Sequence, residues 1–232
     1  MKKFGFTLAE VLITLGVIGV VAAITMPTLI QNHQKKVLAE QLKVTFSLIS
    51  QSIEMSQANI ENPNWVRDLD GRVDISREQA IEEAEQYVTG NLKKLKVYGY
   101  IAPNMYLNEF PTYKTMNGAR SAPTHTSGKA YYTMKLANGS FLFYFYDSHS
   151  DASTTQPIIY LDVNGAKGPN ILGKDLFFLF IDFNGKLNMV SNRPTRDEVL
   201  EMCKDPNVVN LWSNCAALIM YDGWKISDDY PW

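Results

Sequence analysis

The spacing of hydrophobic and polar positions changes three times along the chain. From Phe6 to Ile30 the sequence FTLAEVLITLGVIGVVAAITMPTLI is apolar throughout, and Glu10 is its single charged side chain. At about 1.5 Å per residue this stretch makes a helix of about 37 Å, enough to cross a hydrocarbon core of about 30 Å. The pattern then becomes one-sided. Leu38, Leu42, Phe46, Ile49 and Ile53 recur at helical spacing, which predicts an amphipathic helix continuing to about Ala58. Pro27 interrupts the backbone N–H series but helical signal resumes after it, so a kink is expected there rather than an end. A partner helix in a coiled coil is the competing reading of the apolar face, but the face is short and lacks a regular charge pattern beside it.

Asn62-Pro63 closes this long helix, and Ser76 with Gln79 has the form of a capping box opening a short helix to about Val88, with Gly90 as its stop. Lys93, Lys94 and Lys96 read as a solvated face. Residues 101–128, rich in Pro, Asn, Thr, Ser and Gly with Tyr106, Phe110 and Tyr113 among them, read as a long surface loop. Alternation with a period of two begins afterwards. Ala130–Ala137 and Ser140–Asp147 flank Asn138-Gly139, a dipeptide favoured in two-residue hairpins. Ile158–Val163, Leu176–Phe183 and Lys186–Val190 complete an expected antiparallel sheet of four or five strands. Phe141, Phe143 and Phe145 alternate with Leu142, Tyr144 and Tyr146, giving that sheet two apolar faces, one of them suited to the long helix.

Composition narrows the class. The chain has 232 residues, 46% hydrophobic and 20% charged, with a net charge of -2. That is enough chain for one head plus an appendage, and the charge offers no broad cationic field for nucleic acid. Lys2 and Lys3 precede the apolar run while Lys35 and Lys36 follow it, so flanking charge does not fix an orientation. A secretory signal cut near Ala22 or Ala23 would also begin with lysines. Two features oppose it: the apolar run continues to Ile30, and Glu10 interrupts what would be the apolar core. An acidic side chain deep in a membrane helix costs on the order of 2.5 kcal/mol or more and calls for a partner. A cut after Gly5 would supply one, because the new amino group of Phe6 lies one helical turn before Glu10.

Gly5-Phe6-Thr7-Leu8-Ala9-Glu10 resembles the processing motif of type IV prepilins and of the pseudopilins of type II secretion systems. The resemblance implies an α+β fold: a spine helix, membrane-spanning in its first half, packed on a C-terminal antiparallel sheet. It divides the chain into a leader at 1–5, a transmembrane helix at 6–30, an amphipathic spine at 31–60, a helix and variable loop at 61–129, and a sheet with a disulfide-closed C-terminal region at 130–232. It implies a prepilin peptidase cutting after Gly5 and methylating Phe6, and a role for Glu10 in pairing with the terminal amine of a neighbouring subunit. The implied partners are that peptidase, other pilin or pseudopilin subunits, membrane lipid and an inner-membrane assembly platform. The head would then stand in the periplasm, or be carried out in a filament, on a single-pass inner-membrane anchor. In that compartment Cys203 and Cys215 are expected to form a disulfide. The function implied is structural, as a subunit of a secretion pseudopilus. A minor type IV pilin for adhesion, motility or DNA uptake is the near alternative, and an exported monomeric binding module the distant one.

Catalytic chemistry is not signalled. No G-x-S-x-G, P-loop or H-E-x-x-H sequence occurs. Two D-x-N-G turns stand 20 residues apart, at Asp162 and Asp182. Asp162, Asn164, Asn170 and Asp175 carry the hard oxygen ligands calcium prefers, but the EF-hand spacing is missing and turn formation accounts for them, so no cofactor is expected. Asp147, His149 and Asp151 alternate as a metal site might, without an identifiable fourth ligand. His33 and His125 stand alone.

Overall fold

In a computed structural model of the chain, the described residues are 7–60, 67–68, 76–101, 110–118, 131–148, 154–182, 184–189, 195–204 and 212–232. The chain divides into two units, Met1–Val37 and Leu38–Trp232. Helix α1, Leu8–Gln57, begins in the first and ends in the second. It does not end at Pro27, which lies inside it. Asn62-Pro63 lies outside the described residues.

From Leu8 onward the described part of the first unit is a helix with its apolar side chains outward: Leu12, Ile13, Val17, Ile18, Val21, Ile24 and Leu29 are all exposed. Two of its threonines turn their hydroxyls back onto the helix, Thr14 donating to the Val11 carbonyl at 2.9 Å and Thr25 to that of Val21 at 2.9 Å. This is how a hydroxyl is satisfied where no water is present. Length and composition suffice to cross a membrane.

The second unit is built on one antiparallel sheet. The element order after α1 is β1 (Arg67–Asp68), α2 (Arg77–Glu83), a π-helical turn (Ala84–Thr89), β2 (Lys94–Ile101), β3 (Tyr131–Leu136), β4 (Phe141–Ser148), β5 (Thr154–Asp162), β6 (Leu176–Ile181), β7 (Leu187–Asn188), α3 (Arg196–Lys204) and α4 (Trp212–Tyr221). The strands lie in the order β2-β3-β4-β5-β6-β7, and β1 pairs with the start of β5. Pro157, inside β5, falls between the residues that pair with β1 (Thr154, Thr155) and those that pair with β6 (Ile158 onward). A missing N–H is tolerated where a ladder has its gap.

Each face of the sheet has its own core. One gathers Leu38, Leu42, Ile49 and Ile53 of α1 with Met134, Leu142, Tyr144, Leu161, Leu179 and the buried sides of α3 and α4. The opposite face gathers Tyr113, Tyr131, Phe141, Phe143, Phe145 and Tyr160, with Phe145 and Tyr160 stacked at 5.5 Å between centroids. The alternation along β4 thus separates into these two cores, with α1 on the Leu142 and Tyr144 side.

Several expectations are corrected. Lys93 and Lys96 are solvent-exposed as expected, but Lys94 is not, being ion-paired with Glu85, and Lys94 and Lys96 lie in a strand, β2. Tertiary pairing with β3 overrides the weak strand signal of a lysine-rich segment. The sheet therefore has more strands than the four or five expected. The Asn138-Gly139 turn closes a hairpin with three residues rather than two, since the Leu136 N–H donates to the Ser140 carbonyl at 2.9 Å. The expected short helix opens with the Ser76–Gln79 capping box but finishes as a π turn ending at Gly90. A side chain at Gly90 would collide with the Glu85 carbonyl, so this wider turn requires glycine. The C-terminal region holds two helices, α3 and α4, which periodicity did not suggest because each is short.

The contrast along α1 yields a prediction. Leu42 is fully buried while Leu48 is 41% exposed. Thermal melts of the full-length chain in detergent should show Leu42→Ala destabilised by about 2 to 5 kcal/mol, and Leu48→Ala nearly unchanged. Equal losses would mean that α1 does not pack by this face.

Candidate functional site

Helix α1 opens with a reciprocal pair of side chains. The Thr7 backbone N–H and hydroxyl both donate to Glu10 Oε2 at 2.8 Å, and the Glu10 backbone N–H points at Thr7 Oγ1 at 3.3 Å. That is a capping box: Thr7 stands at the N-cap and Glu10 at the third helical position, so each satisfies a donor that the helix start leaves open. Its sequence signal is the T-x-x-E spacing of Thr7 and Glu10. The carboxylate also lies where the positive end of the helix dipole favours it. Oε1 accepts no hydrogen bond from the described residues and can receive a further cation. Gly5 and Phe6, the expected processing and methylation positions, lie outside the described residues.

The same device opens α3. Thr195 N–H and hydroxyl donate to Glu198 Oε2 at 2.7 and 2.8 Å. Cys203 of α3 and Cys215 of α4 are joined by a disulfide, with an S–S distance of 1.99 Å. Arg196 then clasps the C-terminal strap. Its Nε and one terminal nitrogen donate to the two oxygens of Asp222 at 2.6 and 2.8 Å, and it reaches Asp229 at 3.0 Å. These bonds hold the Arg196 guanidinium charged and keep both carboxyls below their usual range. Beyond Asp222, Trp224 packs on Phe46 at 5.5 Å, and buried Tyr230 donates to the Gly173 carbonyl. Gly173 has a φ of 82°, and a side chain there would run into Met116 and the Cys215 sulfur.

The four oxygen-bearing residues of the D-x-N-G region are brought into one loop between β5 and β6. Asp162 accepts from the Tyr113 hydroxyl at 2.5 Å and from the Asn164 N–H at 3.2 Å. Asp175 accepts from the N–H groups of Asn170 and Ile171, both at 2.7 Å. All four carboxylate oxygens therefore have donors from the chain itself. The amide oxygens of Asn164 and Asn170 are buried without one. Burial pushes the Asp162 carboxyl well up, against the lowering effect of its Tyr113 hydrogen bond, and nearby Asp175 raises it further. Asp175 is raised by burial as well. Of the alternating Asp147, His149 and Asp151, the last two lie outside the described residues, as does His125, and His33 is exposed on α1.

Two family models match. One, described as a family of unknown function (DUF6613), covers residues 28–232. The other, described as the prokaryotic N-terminal methylation motif, covers residues 1–26. No curated protein and no solved structure matches the chain.

The buried carboxyls make stability depend on pH. A carboxyl whose pKa is higher folded than unfolded favours the fold while protonated, and this contribution is lost as pH rises through the folded pKa. Asp162→Asn mimics the protonated form at every pH. Melts from pH 4 to 8 should therefore show the unsubstituted protein losing stability relative to Asp162→Asn as pH rises, by up to about 1.4 kcal/mol per pH unit. The opposite slope would mean that Asp162 is held ionised.

Proposed function

The chain belongs to the family of unknown function DUF6613 and opens with the methylation motif of type IV pilin-like proteins, and from that premise we propose that it is a structural subunit of a type II secretion pseudopilus. The motif implies cutting by a prepilin peptidase and assembly with other pilin-type subunits. Proteins with this motif are structural rather than enzymatic. The observation that carries the reading is the start of α1, where one carboxylate stands in an otherwise apolar, outward-facing helix.

Cutting after Gly5 leaves Phe6 with an ammonium directly before the Thr7 N-cap. One oxygen of Glu10 holds the helix start, and the other is available to the ammonium of a neighbouring subunit. Bringing the two charges together offsets the cost of placing each in an apolar bundle. Lipid covers the same helix before assembly, so the subunit waits in the inner membrane with its head in the periplasm. Once assembled, the filament acts as a piston or scaffold for protein export.

Intact-mass and N-terminal analysis of the native protein should find N-methylated Phe6 as the first residue. A mature start near Ile24 would mark an ordinary exported protein and overturn the reading. Deletion of the gene should abolish export through the type II pathway while leaving surface pili in place; the reverse result would assign a minor pilin.

Charge and capping at Glu10 separate by substitution. Glu10→Gln keeps an acceptor for Thr7 but removes the charge, whereas Glu10→Ala removes both. Both variants should be cut normally and both should fail to enter filaments, measured by co-sedimentation of sheared filaments. Normal incorporation of Glu10→Gln would show that the capping box, not the charge, is what matters.

A further inference from the structure

The β2 edge of the head sheet and the outer side of α3 carry opposite charge beside exposed apolar side chains. At one end β2 is the terminal strand in the described sheet order. Leu95 is 67% exposed and Val97 47%, and Lys93 and Lys96 are exposed beside them. Lys135 is the neighbour of Lys96 across the ladder. At the other end α4 packs against β6, and α3 packs on α4. The outer side of α3 presents Asp197, Glu198 and Glu201 with Met202 among them, all exposed, and Lys204 ion-paired to Glu201 at 3.2 Å leaves the acids in excess. Four strand spacings separate β2 from β6, about 19 Å at the usual distance between strands, so one patch does not cover the other within a head.

From this pairing we infer that the β2 edge of one head docks against the outer side of α3 on a second copy of this chain. The inference rests on the filament reading above. Lysines and acids of opposite sign would meet around an apolar centre of Leu95 and Val97 against Met202, the usual layout of a polar rim and an apolar middle. Contact is made by side chains and not by extension of the sheet. The pairing of β2 with β3 is irregular between Lys94 and Lys96 and again between Val97 and Gly99, and bulges and lysines on an edge strand discourage strand addition. A contact between two different patches of the same molecule is heterologous: each head that docks leaves a free patch of each kind, so the contact propagates instead of closing. A subunit of a filament needs this property in its head as well as in its helix.

The test places a photo-crosslinking phenylalanine analogue, p-benzoylphenylalanine, at position 95 of the full-length chain in its native membrane. Irradiation should give a dimer whose crosslinked peptide contains α3. Lys93→Glu with Lys96→Glu should cut its yield about tenfold, because like charges then face each other. Co-expression with a copy bearing Asp197→Lys and Glu201→Lys should restore it. A crosslink from Leu95 to another copy's β2, to an unrelated peptide, or to nothing in cells where Phe6 is methylated and assembly depends on Glu10 overturns the docking while leaving the filament reading intact. Loss of both methylation and Glu10-dependent assembly overturns the filament reading and the docking with it.

Discussion

The face of α1 that enters the head carries three hydroxyls among its apolar side chains, and burying them obliges the head to meet them with partners at both ends. Thr45 faces the Ser140 hydroxyl at 3.3 Å and accepts from the Asn138 amide at 2.8 Å. Ser52 donates to the Val88 carbonyl at 2.5 Å, and Asn91 reaches the Ser56 hydroxyl at 3.1 Å. Leucines and isoleucines supply most of the favourable burial, at about 1.5 to 3 kcal/mol for each side chain fully removed from water. They do not choose a register, since an apolar side chain packs against many neighbours. Displacing Ser52 would break its donated bond and leave the hydroxyl buried, at about 1 to 3 kcal/mol; Thr45 and Ser56 keep their own donors satisfied on the Gln41 and Ser52 carbonyls and act on the register by receiving the Asn138 and Asn91 amides. The β3–β4 hairpin and the π turn therefore act as two stops against which the helix is set. Ser140 also donates to the Val163 carbonyl at 3.0 Å, which ties the first stop to the loop holding Asp162 and Asp175.

On the far side the head is closed by covalent and ionic links that serve the same helix. The disulfide joins α3 to α4, Arg196 binds α3 to the strap, and Trp224 in the strap rests on Phe46 of α1. Asp222 is mostly buried, so its bidentate bond with Arg196 is screened less than an ordinary surface pair. The hairpin, the π turn and the strap thus all bear on the second half of α1.

Much of this was readable in the residues and some was not, for reasons that differ. Leu38, Leu42, Ile49 and Ile53 were legible because burial on one side of a helix leaves a spacing of three and four. The alternation of Phe141 to Tyr146 was legible because a sheet covered on both faces needs apolar residues at odd and even positions alike. β2 was hidden: its lysines mimic a solvated segment, and what makes it a strand is β3, far along the chain. α3 and α4 were hidden by their length, since nine or ten residues give too few turns for a periodic signal. Thr195 and Glu198 mark the start of α3, as Thr7 and Glu10 mark that of α1, by the same T-x-x-E spacing. At the candidate site the charge of Glu10 was legible and its hydrogen bonds were not, because an unpaired charge draws attention to distant partners before near ones.

The capping box changes what Glu10 must do. Thr7 donates two hydrogen bonds to one carboxylate oxygen, and the positive end of the helix dipole lies beside the same group. The second oxygen accepts no bond from the described residues. Oxygens of a single carboxylate can serve two donors without competition, so in the filament proposed above the local bond would prepare the intersubunit one. Substituting Thr7 by valine, of similar shape but without the hydroxyl, removes one of those bonds and leaves the chain's charge unchanged. In the proposed filament, assembly would weaken through a loss of preparation, even though Glu10 is untouched.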